Sequence, residues 1–153
     1  MPAPDLSPLP SALSTAPLRL RVLHLEDSEL DHELMLAHLR RGGIDPDALR
    51  VESEAGYRAA LAEPWDVVVS DYNLPGFSGL RALEILRDSR LLLPFILVSG
   101  EIGEQVAVQA MLTGANDYLL KENLARLVPA LLHAIEGTEA LRVLVVSMYP
   151  EDQ

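Results

Sequence analysis

Val67-Val68-Val69-Ser70-Asp71-Tyr72-Asn73-Leu74-Pro75-Gly76 is the stretch on which the fold turns. Three valines in succession, with no polar residue among them, mark a strand buried on both faces, as in the middle of a parallel sheet. Trp65 to Ser70 is therefore expected to be a central strand. It delivers a carboxylate, Asp71, into the turn-rich segment Asn73 to Gly79, which leads to a helix over Leu80 to Arg90. The carboxyl ends of parallel strands are where open α/β sheets bind their ligands.

The same alternation extends in both directions. Leu18 to Leu25 is an apolar, branched run that ends in the acidic pair Glu26-Asp27. Ser28, with Asp31 three residues later, opens a helix that Gly42-Gly43 closes. Within it, Leu34, Met35 and Leu39 read as a core-facing stripe. Leu49 to Ser53 is a short, polar strand suited to a sheet edge, and Gly56 to Glu63 a short helix closed by Pro64. Beyond the central strand, Phe95 to Ser99 is another buried strand, and Glu104 to Thr113 a helix stopped by Gly114. Asn116 to Leu120 is the last core strand, and Leu124 to Glu136 the last core helix. Five β–α alternations imply a parallel sheet with helices on both faces.

Two segments flank this unit. Residues 1–17 carry five prolines among small and polar residues and read as a Pro-rich flexible tail. Residues 138–153 include the apolar run Leu141 to Val146, whose conformation the sequence leaves open. The expected organisation is thus a tail over 1–17, a domain over 18–137 and a C-terminal extension over 138–153.

Bulk properties exclude several classes. The chain has 153 residues, one domain by length, with 49% hydrophobic and 23% charged residues. A net charge of −11 argues against nucleic acid and against anionic membranes, both of which attract basic surfaces. The absence of cysteine removes disulfides and thiolate metal sites. No apolar run is long enough for a membrane span, so a soluble, cytoplasmic protein is expected. His24, His32, His38 and His133 lack the spacing of a metal cluster and are expected to be structural or exposed.

Five positions carry chemistry: Glu26, Asp27, Asp71, Ser99 and Lys121. Each has an ordinary reading alone. Acids favour a helix start, Asp suits a turn, and a serine or lysine in a loop is unremarkable. Together, at four strand ends, three carboxylates, a hydroxyl and an amine suggest a metal-assisted phosphoryl acceptor. Carboxylates close together repel unless a cation compensates, and Mg2+ prefers hard oxygen ligands.

Four segments carry a family resemblance. They are Val22-Leu23-His24-Leu25-Glu26-Asp27-Ser28, the Val67 to Gly76 stretch, Ile96-Leu97-Val98-Ser99-Gly100, and Gly114-Ala115-Asn116-Asp117-Tyr118-Leu119-Leu120-Lys121. Over Leu18 to Gly137 the chain resembles a bacterial two-component response regulator receiver domain of the stand-alone, chemotaxis type. The resemblance implies a flavodoxin-like, doubly wound five-stranded parallel sheet of order 2-1-3-4-5. It implies that Asp71 accepts phosphate from a histidine kinase or phosphotransfer protein, with Mg2+ as cofactor. By resemblance, Asp27, Asp71 and the Asn73 carbonyl ligate the metal, while Glu26 holds a metal-bound water. Ser99 and Lys121 would contact the phosphoryl group. Ser99 and Tyr118 would form the switch, and Asn73 and Glu101 would tune dephosphorylation.

The resemblance makes the chain a switch rather than an enzyme acting on other substrates. Its output partner is unknown. A homodimer through 104–137 and the C-terminal extension is one expectation, because Val106, Ala107, Val108, Ala110, Met111 and Leu112 exceed what one buried stripe requires. The chain departs from the family at Glu122, where proline usually follows the lysine; a trans, differently shaped loop is expected there. A haloacid-dehalogenase-type phosphohydrolase would need a second acid two residues after its nucleophile, where this chain has Asn73.

Overall fold

The computed structural model describes residues 16–101 and 103–148. Its centre is a five-stranded, all-parallel sheet. The strands are β1 (Leu18–Leu25), β2 (Ile44–Val51), β3 (Val67–Asp71), β4 (Phe95–Ser99) and β5 (Asp117–Leu120). They lie in the order β2-β1-β3-β4-β5, as expected. All five residues of β3 are buried, and so are all five of β4.

Period-two alternation divides the core into two layers. On one face, Leu23, Leu25, Val68, Phe95 and Leu97 pack against α2 (Glu54–Ala60), α3 (Gly79–Asp88) and α4 (Glu104–Thr113). On the other, Leu20, Val22, Val67, Val69, Ile96 and Val98 pack against α1 (Glu29–Arg41) and α5 (Leu127–Met148). Each helix buries the side that faces the sheet. Ser28, Ser53 and Ser78 cap α1, α2 and α3, each accepting a bond from a backbone N–H three residues on. Gly114, at φ 109°, closes α4 in the left-handed conformation that favours glycine.

Several sequence expectations are corrected. The second strand is eight residues long and begins at Ile44, not Leu49, because it pairs with β1 along its full length, from Leu18↔Ile44 to Leu25↔Val51. Pro46 and the charged residues around it fit because β2 is an edge strand with a single neighbour. The stripe on α1 is Met35, Leu36 and Leu39, whereas Leu34 is half exposed. The Asn73–Gly79 turn holds a small antiparallel ribbon, Asn73–Leu74 against Phe77–Ser78.

Gly137 ends no element. Helix α5 passes through it to Met148, so the apolar run after it is helical. Residues 1–15 of the tail and 149–153 of the extension lie outside the described residues. After Lys121, Lys121–Arg126 form a 3-10 turn, and no peptide bond among the described residues is cis, in keeping with Glu122 in place of proline.

Candidate functional site

Parallel pairing brings the carboxyl ends of β1, β3, β4 and β5 to one edge of the sheet, across the point where strand order reverses between β1 and β3. Glu26 and Asp27 follow β1, Asp71 ends β3, Ser99 ends β4 and Lys121 follows β5. Oxygens of Glu26, Asp27 and Asp71 all lie within 4.8 Å of one another. Glu26 and Asp71 are buried and Asp27 is exposed. Lys121 Nζ sits 3.2 Å from Glu26 Oε1 and 3.2 Å from Asp71 Oδ2. A third carboxylate, Asp31 on α1, is closer still to the ammonium, at 2.6 Å.

Electrostatics follow from this crowding. Burial, and then the Asp71 carboxylate, push Glu26 from the ordinary 4.5 up to about 7, against the opposing pull of the Ser28 N–H and Lys121. Burial draws the Lys121 ammonium down, but Asp31, Asp71 and Glu26 outweigh it and its pKa is raised. The trio offers hard oxygens, excess negative charge and one exposed member, which fits a divalent cation such as Mg2+.

Glu26 sets a pH dependence. The folded chain holds this proton more tightly than the unfolded chain, so its contribution to stability is present below pH 4.5 and lost as pH rises through about 7. A divalent cation bound at the trio would favour the ionised form of Glu26 and so release the proton. Apparent Mg2+ affinity should therefore climb by up to ~10-fold per pH unit between about pH 5 and pH 7, then level off. Calorimetric Mg2+ titrations across that range check this, and a flat profile contradicts it.

Ser99 and Tyr118 meet at one carbonyl. The buried Ser99 hydroxyl donates to Glu101 O at 2.6 Å, and the Tyr118 hydroxyl donates to the same oxygen at 3.3 Å. Glu101 thus enters the site through its backbone, with its side chain exposed. Asn73 is exposed at the mouth, on the ribbon after Asp71.

The sequence reading missed Asp31, treating it as a capping acid. Its side chain leaves that role, because the Ser28 N–H is taken by Glu26 Oε2 at 3.2 Å. The signal was an acid one turn into the helix that starts beside the acidic pair. Two histidines are also closer to the site than their separation suggests. His24, buried on β1, and His32 on α1 have Nδ1 atoms 2.8 Å apart. Burial, with His32 as the next cause, holds His24 down to about 3, so it stays neutral and shares one hydrogen with its neighbour.

Comparison with known proteins places this arrangement. A family model described as the response regulator receiver domain matches residues 22–135. The chain belongs to that family. Among curated proteins, this receiver is 33% identical over 107 residues to the phosphate regulon transcriptional regulatory protein PhoB of Klebsiella pneumoniae, covering 66% of this chain and 44% of that protein. It is 34% identical over 127 residues to an NtrX-like response regulator of Rickettsia conorii, covering 81% and 27% respectively. The chain thus spans less than half the length of these relatives.

Among solved structures, the receiver is similar to the signal receiver domain of NarL from Mycobacterium tuberculosis, with a TM-score of 0.70 and 26% identity, covering 79% of this chain and 99% of that one. The receiver domain of the histidine kinase PA1611 from Pseudomonas aeruginosa shares the fold, with a TM-score of 0.64 and 24% identity over 76% of this chain and 98% of that one; its structure has a magnesium ion coordinated in the active-site cleft. These relatives are regulators and sensor receivers of several kinds, so membership is shown at the level of two-component receivers and not of the chemotaxis type. A receiver implies phosphorylation-based signalling. No helix among the described residues is long and apolar enough to cross a membrane.

Proposed function

We propose that this receiver is a phosphorylation-dependent binding switch in which Asp71 accepts a phosphoryl group from a histidine kinase or phosphotransfer protein, and that it is not an enzyme acting on other substrates. The observation that carries this reading is the convergence of Glu26, Asp27 and Asp71 oxygens within 4.8 Å, with Lys121 Nζ 3.2 Å from Asp71. Asp27, Asp71 and the Asn73 carbonyl would ligate Mg2+, with Glu26 holding a bound water; the ion supplies charge neutralisation for the transferring phosphoryl group. Asp71 is the nucleophile. Its carboxylate oxygen bonds to phosphorus as the bond from phosphorus to the donor's imidazole nitrogen breaks. Lys121 pairs with a phosphoryl oxygen as a point charge.

Ser99 can reach the phosphoryl group only by releasing Glu101 O, a carbonyl that Tyr118 also holds. That shared acceptor supports Ser99 and Tyr118 as the switch, since the two states differ in contacts at one oxygen. The output leaves by contact with a partner, within the cytoplasm. Support comes from the exposed apolar side chains Val108, Met111 and Leu112 on α4 and Val143 and Val146 on α5. The output partner is a protein docking there or a second copy of the chain through 104–137 and the helix beyond.

Incubation with acetyl phosphate and Mg2+, read by intact mass, tests the reading. A single phosphoryl adduct that decays in seconds to minutes is expected, and multiple turnover of assorted phosphoesters would favour a hydrolase instead. Asn73→Ala and Glu101→Ala should each change the decay rate while leaving the adduct able to form. Unchanged decay in both variants removes these residues from the path of the attacking water.

A further inference from the structure

Lys121 is the single lysine of the chain; its other eleven cationic residues are arginines. Its ammonium has three carboxylate partners, and the nearest stands outside the acidic trio. Asp31 Oδ2 lies 2.6 Å from Nζ, while Glu26 Oε1 and Asp71 Oδ2 each lie 3.2 Å away. Asp31 comes from the first turn of α1, and Lys121 follows β5, 90 positions later in the chain. The bond therefore ties the first helix to the last strand across the mouth of the site.

The three partners are not equivalent. Glu26 and Asp71 belong to the acidic trio that a divalent cation would engage, Asp71 directly and Glu26 through a bound water, so cation and ammonium compete for them. Asp31 is outside that cluster. It is also free to serve Lys121, because Glu26 rather than Asp31 accepts from the Ser28 N–H. A compact ammonium on a flexible stem, with three rotatable donors, can keep one carboxylate while turning another donor to a new oxygen.

We propose that Asp31 is a positioning residue: it holds Lys121 at the rim of the site while a cation engages Asp71 directly and Glu26 through a bound water, leaving the ammonium poised for a phosphoryl oxygen on Asp71. The purpose of this anchor rests on the receiver reading, whereas its geometry does not. Asp31 touches Lys121 and none of the reacting atoms. Without Asp31, the remaining partners of Lys121 are those the cation claims, and the side chain is expelled when the cation binds.

The single lysine makes the test specific. Amine-directed acylation of the full chain, followed by peptide mass analysis, reads Lys121 separately from the amino terminus. In the wild type, labelling should be slow and almost unchanged by Mg2+. Asp31→Asn should be labelled about 10-fold faster, the effect of losing one charge-assisted hydrogen bond, and Mg2+ should accelerate it further. Asp31→Glu should restore protection, and Asp31→Ser should repeat the Asn result should that variant fold poorly.

Labelling of Asp31→Asn at the wild-type rate overturns the proposal. Faster labelling that Mg2+ does not change also overturns it, since that pattern marks general loosening. With acetyl phosphate, Asp31→Asn should gain its adduct severalfold more slowly at limiting Mg2+, and an unchanged rate counts against the anchor. A wild-type chain that takes no phosphoryl group refutes the receiver reading, while the labelling result still decides the role of Asp31.

Discussion

Asp71→Asn should abolish the Mg2+-dependent gain of a phosphoryl group while leaving the fold intact. An amide oxygen is not a competent nucleophile toward phosphorus, and the substitution also deletes one oxygen of the acidic trio. Stability should change little, for a structural reason. Asp71 raises the pKa of its buried neighbour Glu26, so removing its charge relieves a repulsion while breaking one of the three contacts to Lys121. Lys121 retains Glu26 and Asp31. Intact mass after acetyl phosphate treatment, alongside a thermal melt, checks both halves. A full adduct on Asp71→Asn would place the phosphoryl group elsewhere and refute the assignment.

The largest loss of stability from a small change is expected at Gly79. A Cβ there would lie 2.5 Å from the backbone oxygen of Asp71, 2.5 Å from Leu97 Cδ1 and 3.1 Å from the Tyr72 Cα. Backbone cannot step aside as a flexible side chain does, and Leu97 is fully buried. Gly79→Ala should cost about 2–3 kcal/mol, the scale of an overpacked core, and lower Tm by about 5–10 °C. It should also slow phosphorylation, because the atom displaced is the carbonyl of the acceptor residue itself. Gly137→Ala is the contrasting case: apart from its own helix backbone and chain neighbours, no atom of the described residues lies within 4 Å of a Cβ placed there, and the residue is inside α5. That variant should gain about 0.5–1 kcal/mol. Equal melting temperatures for the two variants would contradict this account of the packing.

What could be read from sequence, and what could not, has a physical pattern. Strands β3 and β4 were legible because a strand covered on both faces needs an unbroken apolar run, and Val67 to Val69 and Phe95 to Val98 supply it. Edge strand β2 reads five residues short at its start, from Ile44 to Ala48, since its length is imposed by pairing with β1 and not by its own residues. Gly137 looked like a stop. One glycine costs a helix only about 1 kcal/mol, however, and apolar neighbours carry α5 through it.

The site shows the same division. The placement of Glu26, Asp27, Asp71, Ser99 and Lys121 at one sheet edge is legible because each lies at the end of a recognisable strand, and the sheet brings strand ends together. Asp31 and the His24–His32 pair are not, because their contacts arise where α1 lies against the sheet and the end of β5. The sharing of Glu101 O by Ser99 and Tyr118 was equally hidden, being a bond to backbone rather than to a side chain that sequence displays. Outward-facing Val108, Met111 and Leu112 were anticipated, since α4 carries more apolar residues than one buried stripe can use.

The most direct test of the central claim is a structure of the full chain with Mg2+ and beryllofluoride. The account predicts beryllium bonded to an Asp71 carboxylate oxygen and the metal among Glu26, Asp27 and Asp71. It further predicts Lys121 on a fluoride and the Ser99 hydroxyl turned from Glu101 O to another fluoride, with the Tyr118 contact to that carbonyl changed. A beryllofluoride group bound away from Asp71, or a metal held outside the acidic trio, would contradict it.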